Sequence, residues 1–250
     1  PLLVGAPASL PYGDGLTLRL TPAVCLIGAA LRVIVLVNAV NFMDGANGLA
    51  LGSSGIGLLG LAVLALIADA PGPAALALCG VGAVAGFLIW NFPSGRLFAG
   101  DAGALFVGAL AAVTSLLAIR DGGLSPFTPA TLFLPMLADA LLTLAWRVGR
   151  RPNLLDGHRD HLFQIGLRSG VGHAQITLLY WRAAAGCAVA GVVAAEFASG
   201  RWLLAAAQDE FIRTAASYAP FVTFVGLCIV SCVISVRVRR FAAAHGLDQP

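Results

Sequence analysis

Asn38-Ala-Val-Asn41-Phe-Met-Asp44-Gly45-Ala-Asn47-Gly48-Leu-Ala50 joins two apolar runs, Ala23 to Val37 before it and Leu49 to Ala68 after it. Three amides, one carboxylate and two glycines stand there, in a chain otherwise short of polar groups. At helical spacing Asn38, Asn41 and Asp44 follow one another at i, i+3 and i+6, so they drift only about 120° around the axis and share a face. Gly45 and Gly48 let backbone approach whatever those side chains hold. Polar groups where a membrane helix ends are stable only against water, protein or a ligand. The run is longer and denser than a helix cap needs, and it reads as the wall of a site.

Composition settles the solvent around the flanking runs. The chain of 250 residues is 59% hydrophobic and 11% charged, with a mean hydropathy of +0.90, whereas soluble domains carry roughly 25% charged residues. This is the composition of an integral membrane protein. The fifteen basic residues are all Arg and the net charge is +3. They form no stripe interleaved with aromatics, so no nucleic-acid partner is expected. The five cysteines (Cys25, Cys79, Cys187, Cys228, Cys232) all fall in apolar runs. Cys228 and Cys232 lie one helical turn apart, a poor geometry for a disulfide, and all five are expected as small core residues.

A span needs about 20 mainly apolar residues. Seven stretches qualify, at about 23–40, 49–68, 73–90, 103–119, 127–146, 175–197 and 218–236, divided by Pro/Gly turns at Ala70-Pro-Gly-Pro73 and Asp121-Gly-Gly-Leu-Ser-Pro126. The expected fold is all-α: a polytopic transmembrane bundle of about seven spans, forming a single integral membrane domain over residues 1–250. Arginine asymmetry orients it. With the Asn38–Gly48 loop in the cytoplasm, nine arginines fall on that side (Arg96, Arg147, Arg150, Arg151, Arg159, Arg168, Arg237, Arg239, Arg240) and four on the other (Arg19, Arg120, Arg201, Arg213). The loops at about 38–48, 91–103 and 147–174 then share the cytoplasmic face. On the other face, 199–217 has room for a short amphipathic helix.

The other two loops on that face are also polar. Trp90-Asn91-Phe92-Pro93-Ser94-Gly95-Arg96-Leu97-Phe98-Ala99-Gly100-Asp101-Ala102-Gly103 puts Asp101 between glycines at the start of a span. Free N–H groups and the helix dipole favour an anion there. A carboxylate beside that anion suits Mg²⁺, which takes one or two carboxylates plus substrate oxygens; capping the helix is the alternative role. Phe98 is either interface packing or a platform on which a base stacks. The third loop carries Asp156-Gly-His158-Arg159-Asp160-His161-Leu-Phe163-Gln164. No Cys or Glu completes a zinc set with its histidines. Arg159 between them suits phosphate or diphosphate, which its forked guanidinium matches. Asp139, inside the fifth expected span, is either functional or paired with a neighbouring helix. Arg32, inside the first, has the same two readings, and the helix it would pair with could lie outside this sequence.

Together these residues carry a resemblance. Asn38-x-x-Asn41-Phe-Met-Asp44-Gly-x-Asn47-Gly-Leu-Ala resembles the N-x-x-N-x-x-D-G-x-D-G-L-A signature of the polyprenyl-phosphate N-acetylhexosamine-1-phosphate transferases, membrane enzymes related to phospho-MurNAc-pentapeptide translocase. Asn91 and Phe98-Ala-Gly100-Asp101-Ala-Gly-Ala resemble the family's F-M-G-D-x-G-S segment. His158-Arg-Asp-His161-Leu-Phe-Gln164 is similar to the H-R-x-H-x-Y-Q form of transferases that initiate O-antigen from UDP-N-acetylated deoxy sugars. The motifs come in family order.

The resemblance implies that sugar-1-phosphate passes from a UDP-N-acetyl sugar to undecaprenyl phosphate, giving a lipid-linked diphosphate sugar and UMP at the start of O-antigen or other envelope glycan synthesis. It implies a bacterial inner membrane location with the site on the cytoplasmic face. Asp101 would ligate Mg²⁺ (Mn²⁺ as an alternative), and Phe98 would stack on uracil. Asp44 would sit in the nucleotide pocket or near the reacting phosphate. His161, with Arg159, would line the diphosphate site. Asn38, Asn41, Asn47, Asn91, His158 and Gln164 would bind substrate, and a homodimer is left open. Asn47 and Phe163 stand where the family has Asp and Tyr. The family's paired aspartates have no counterpart in these residues, so about three preceding helices, of ten to eleven in the family, are expected in the whole protein. A transporter and a non-catalytic relative are the alternatives. Transporters place polar groups at the midplane of broken helices, whereas these gather on one face.

Overall fold

The structure is a computed structural model that describes residues 9–13, 16–19, 21–148, 160–200 and 210–247. A two-stranded antiparallel hairpin comes first, β1 (Ser9–Gly13) and β2 (Leu16–Arg19), with Ser9 opposite Arg19 and Leu10 opposite Leu18. The remainder is helical. Among the described residues, six helices are long and apolar enough to cross a membrane: α1 (Pro22–Met43), α2 (Leu49–Ile67), α3 (Pro71–Asn91), α4 (Gly100–Gly122), α8 (His173–Ala198) and α10 (Ala219–Ala244). Where a single span is expected over 127–146 there are two pieces, α5 (Phe127–Leu132) and α6 (Leu134–Val148), broken at Phe133. Pro135 in the first turn of α6 has no N–H to carry the ladder across the break. The expected bundle is therefore present, with its fifth span in two parts. α7 (Leu162–Arg168) lies in the third polar segment. α9 (Glu210–Ser217) fills the expected place on the other side.

The starts and stops follow local chemistry. Prolines open α1, α3 and α10 in the first turn, where a missing N–H is harmless. Glycines with positive φ, Gly48 and Gly123, stand before α2 and after α4.

α2 is the axis of the bundle, packed against α3, α4 and α8. Of its most apolar stretch 67% is buried, against 11% for α10, whose apolar side chains mostly face outward. Burial does not separate helix from lipid in a membrane, so close packing of small residues does the holding. α1 and α4 come close enough that a Cβ on Gly108 would lie 2.7 Å from the Val37 Cα. Outward-facing Ile, Leu, Val and Phe suit contact with acyl chains. Cys79 and Cys232 are among the exposed residues, so they are not core residues; Cys25 and Cys187 are buried. Arg32 has one partner inside the chain, donating from Nη2 to the Pro126 carbonyl at 2.6 Å.

Candidate active site

α1 continues to Met43, so Asn38 and Asn41 sit on its last two turns and Asp44 on its C-cap. The chain turns over 44–48 and enters α2. Three segments close on this turn.

The second polar segment meets it at Asn47 and Gly48. Asn47 Nδ2 donates to the Pro93 carbonyl at 3.3 Å. A Cβ on Gly95 would stand 2.6 Å from that same nitrogen. Gly48 holds φ at 73°, and a Cβ there would stand 3.1 Å from Phe92, so both conformation and space call for glycine. An Asp in place of Asn47 has no N–H to give Pro93, so this departure from the family pattern has a structural use here.

The third segment meets it at Gly45 and Phe42. A Cβ on Gly45 would lie 2.9 Å from the Phe163 ring. The His161 ring sits 6.1 Å from Phe42 and 5.9 Å from Phe163, centroid to centroid. α8 closes the third side. Trp181 Nε1 donates to the Gly48 carbonyl at 2.9 Å and Thr177 Oγ1 to the Asn47 carbonyl at 2.7 Å, while Trp181 packs on Phe92 at 4.8 Å. Trp181 and Thr177 went unnoticed in the sequence. Their one signal is a polar edge on the turns of a span nearest the motif face, where Trp is common in any membrane helix.

The carboxylates complete the arrangement. Asp101 is exposed in the first turn of α4. Asp44 is half-buried, and its carboxyl is pushed up to about 6, first by burial and then by the negative charge of Asp101. Two carboxylates that repel each other at the mouth of a polar turn make a donor set for a hard divalent cation. Among the described residues no group of three or more His, Cys, Asp or Glu forms a cage, so substrate oxygens would have to supply the other ligands.

The remaining candidates divide. Phe98, three residues before Asp101, is 73% exposed. Asn91 is buried and donates Nδ2 to the Leu97 carbonyl at 2.7 Å, pinning the 91–97 loop from inside. Asn38 is exposed and donates back to the Ile34 carbonyl at 2.7 Å. Asn41 offers its backbone carbonyl to the Asp44 N–H at 3.2 Å. Gln164 accepts from the His161 N–H at 3.2 Å, one arm of a helix cap. His158 and Arg159 lie outside the described residues. His161 is 3% exposed, with Nδ1 3.5 Å from Asp139 Oδ1.

Asp139 proves to be paired, as one reading allowed, but with the third motif as well as with a helix. It accepts from the Leu162 N–H at 2.9 Å, the Phe163 N–H at 3.4 Å, Thr143 Oγ1 at 3.1 Å and the Tyr180 hydroxyl at 2.6 Å. Arg239 of α10 donates to Thr143 Oγ1 at 2.7 Å and to the Asp160 carbonyl at 3.2 Å, its guanidinium 4.7 Å from the Trp146 ring. Asp160 in turn lies 3.7 Å from buried Arg147.

A model of glycosyl transferase family 4 matches residues 4–119. The chain is similar to the decaprenyl-phosphate N-acetylglucosaminephosphotransferase of Mycobacterium leprae, 30% identical over 194 residues, which is 69% of this chain and 48% of the relative. It is similar to the probable undecaprenyl-phosphate N-acetylglucosaminyl 1-phosphate transferase of Bacillus subtilis, 28% identical over 153 residues (60% of this chain, 43% of the relative). Likewise it resembles the phospho-N-acetylmuramoyl-pentapeptide-transferase of Moorella thermoacetica, 30% identical over 164 residues (66% of this chain, 50% of the relative). The chain spans about half the length of the relatives it matches. The ordered motifs, the membrane bundle that joins them and these relatives place the chain in glycosyl transferase family 4.

Proposed function

We propose that the protein transfers sugar-1-phosphate from a UDP-N-acetyl sugar to a polyprenyl phosphate, undecaprenyl phosphate in the bacterial inner membrane, as the first step of an envelope glycan such as O-antigen. The observation that carries the reading is the meeting of three polar segments on one turn: Asn47 against Pro93, Gly45 against Phe163, and Asp44 within reach of the charge of Asp101. A transporter path along the midplane would not gather its polar groups at one end.

In the reaction, an oxygen of the lipid phosphate bonds to the phosphorus that carries the sugar, and the bond from that phosphorus to UMP breaks. The nucleophile is already anionic, so positioning and charge neutralisation do most of the work. Asp101, with Asp44 beside it, would hold Mg²⁺ or Mn²⁺. The ion, when bound, supplies positive charge against the diphosphate. Phe98, exposed on the loop before α4, would take the uracil face. His161, with Arg159, would line the diphosphate. The α1 amides Asn38 and Asn41 would bind the sugar nucleotide. The arginine bias supports a cytoplasmic location for this end of the bundle, where nucleotide would arrive from water while the prenyl tail stays in the bilayer.

The test is UMP release by the product of the complete reading frame, assayed with undecaprenyl phosphate against a panel of UDP-N-acetyl sugars. One sugar should support divalent-dependent release, and Asp101→Ala should abolish it. Undiminished release by that variant would overturn the metal assignment. No release from any sugar, with wild-type protein intact in membranes, would favour the non-catalytic relative.

A further inference from the structure

His161 does not stand alone: a chain of contacts runs from the last span to its ring. Asp139 is a carboxylate 2% exposed within the bundle. Buried charge is weak evidence for stability, because apolar residues often serve as well. What distinguishes Asp139 is the direction of its contacts. Three of its five partners belong to the start of the third motif: the N–H groups of Leu162 and Phe163 and the Nδ1 of His161. α7 has seven residues, too few to hold its own first turn, and the acceptor comes from α6 instead. A carboxylate at Nδ1 also fixes the imidazole, keeping the proton on Nδ1 and leaving Nε2 to act. Thr143 and Arg239 hold the other side of this arrangement, Arg239 bonding both Thr143 Oγ1 and the Asp160 carbonyl.

We propose that Asp139 is a positioning residue that acts through His161, and that Thr143 and Arg239 hold it in that role. The proposal rests on the transferase reading for its kinetic test but not for its spectroscopic one. The bland alternative is that Asp139 only staples α6 to α8 through the Tyr180 hydroxyl.

The experiment uses the complete protein, purified, with Asp139→Asn, His161→Ala, their double variant, and Thr143→Val alone and combined with His161→Ala. Loss of a partner that orients a ligating or acting histidine lowers activity about 10- to 100-fold. Asp139→Asn should lower kcat by that factor with KM for UDP-sugar unchanged. The double variant should be no slower than His161→Ala alone. Thr143→Val, which keeps shape and charge, should lower kcat less, and that loss should vanish in the His161→Ala background. If the two losses multiply instead, or persist when His161 is gone, the proposal falls, and a structural staple remains. Should Asp139→Asn fail to fold, the Thr143→Val cycle decides the matter by the same criterion. Nitrogen-15 spectra of labelled histidine give an answer independent of turnover. Wild type should show His161 protonated at Nδ1, and Thr143→Val should show that signal weakened or mixed. An unchanged spectrum would overturn the proposal. A wild-type protein that releases no UMP would count against the transferase reading alone, and the spectra would still judge Asp139.

Discussion

At Asp44 the burial of a carboxylate and its nearness to another act in the same direction. The folded protein binds this proton more tightly than the unfolded chain does, with a value of about 6 against an ordinary 3.8. Stability from this group is therefore greatest below about pH 4 and is lost as pH rises through about 6. Thermal melts should show this loss in wild type and not in Asp44→Asn. Millimolar Mg²⁺ should restore Tm at pH 7 and do little at pH 5, where the proton already occupies the site. Equal stabilisation at both values would separate the cation from Asp44. Phe98 offers the opposite case, a large side chain 73% exposed with no core to lose. Phe98→Ala should leave Tm alone, raise KM for UDP-sugar and leave KM for polyprenyl phosphate unchanged. Equal effects on both substrates would point to packing. What was legible in sequence at this scale was placement written in local spacing: Asn38 and Asn41 on the helical turns that lead to Asp44, and Asp101 in a first turn. The hold of Asp139 on His161 spans 22 positions, and no periodicity reports such a contact.

Among the elements, the turn 44–48 depends on α8 as much as on its own sequence. Trp181 reaches the Gly48 carbonyl with its indole N–H and lays its ring on Phe92. Trp181→Phe keeps the ring and drops the donor. It should lower stability by about 1 kcal/mol, the ordinary value of one hydrogen bond, and reduce turnover with it, because the turn carries Asp44. A melt unchanged with turnover lost would contradict that coupling. The long helices were readable because about 20 apolar residues in a row admit few other states. Their inner ends were drawn short: α1 runs on through Asn38 and Asn41, since an amide can bond back to its own helix, as Asn38 does to Ile34. The division of α5 from α6 was missed because hydropathy is continuous across Phe133. Pro129 and Pro135 were the available sign.

On the scale of the molecule, helices of alternating direction bring 44–48, 91–101 and 160–164 to one end, although up to 120 positions separate them in the chain. That convergence is legible in the spans and the arginine bias of the sequence. The interlock of the turns could not, since it rests on glycines and ring edges meeting at van der Waals distance. A structure of the complete protein with UDP and Mn²⁺, phased to show the anomalous signal of the metal, tests the whole account. The ion should sit in direct coordination to Asp101, beside Asp44, bridging the diphosphate, with His161 on the same ligand. Manganese bound away from Asp101, or UDP bound out of reach of His161, would contradict it.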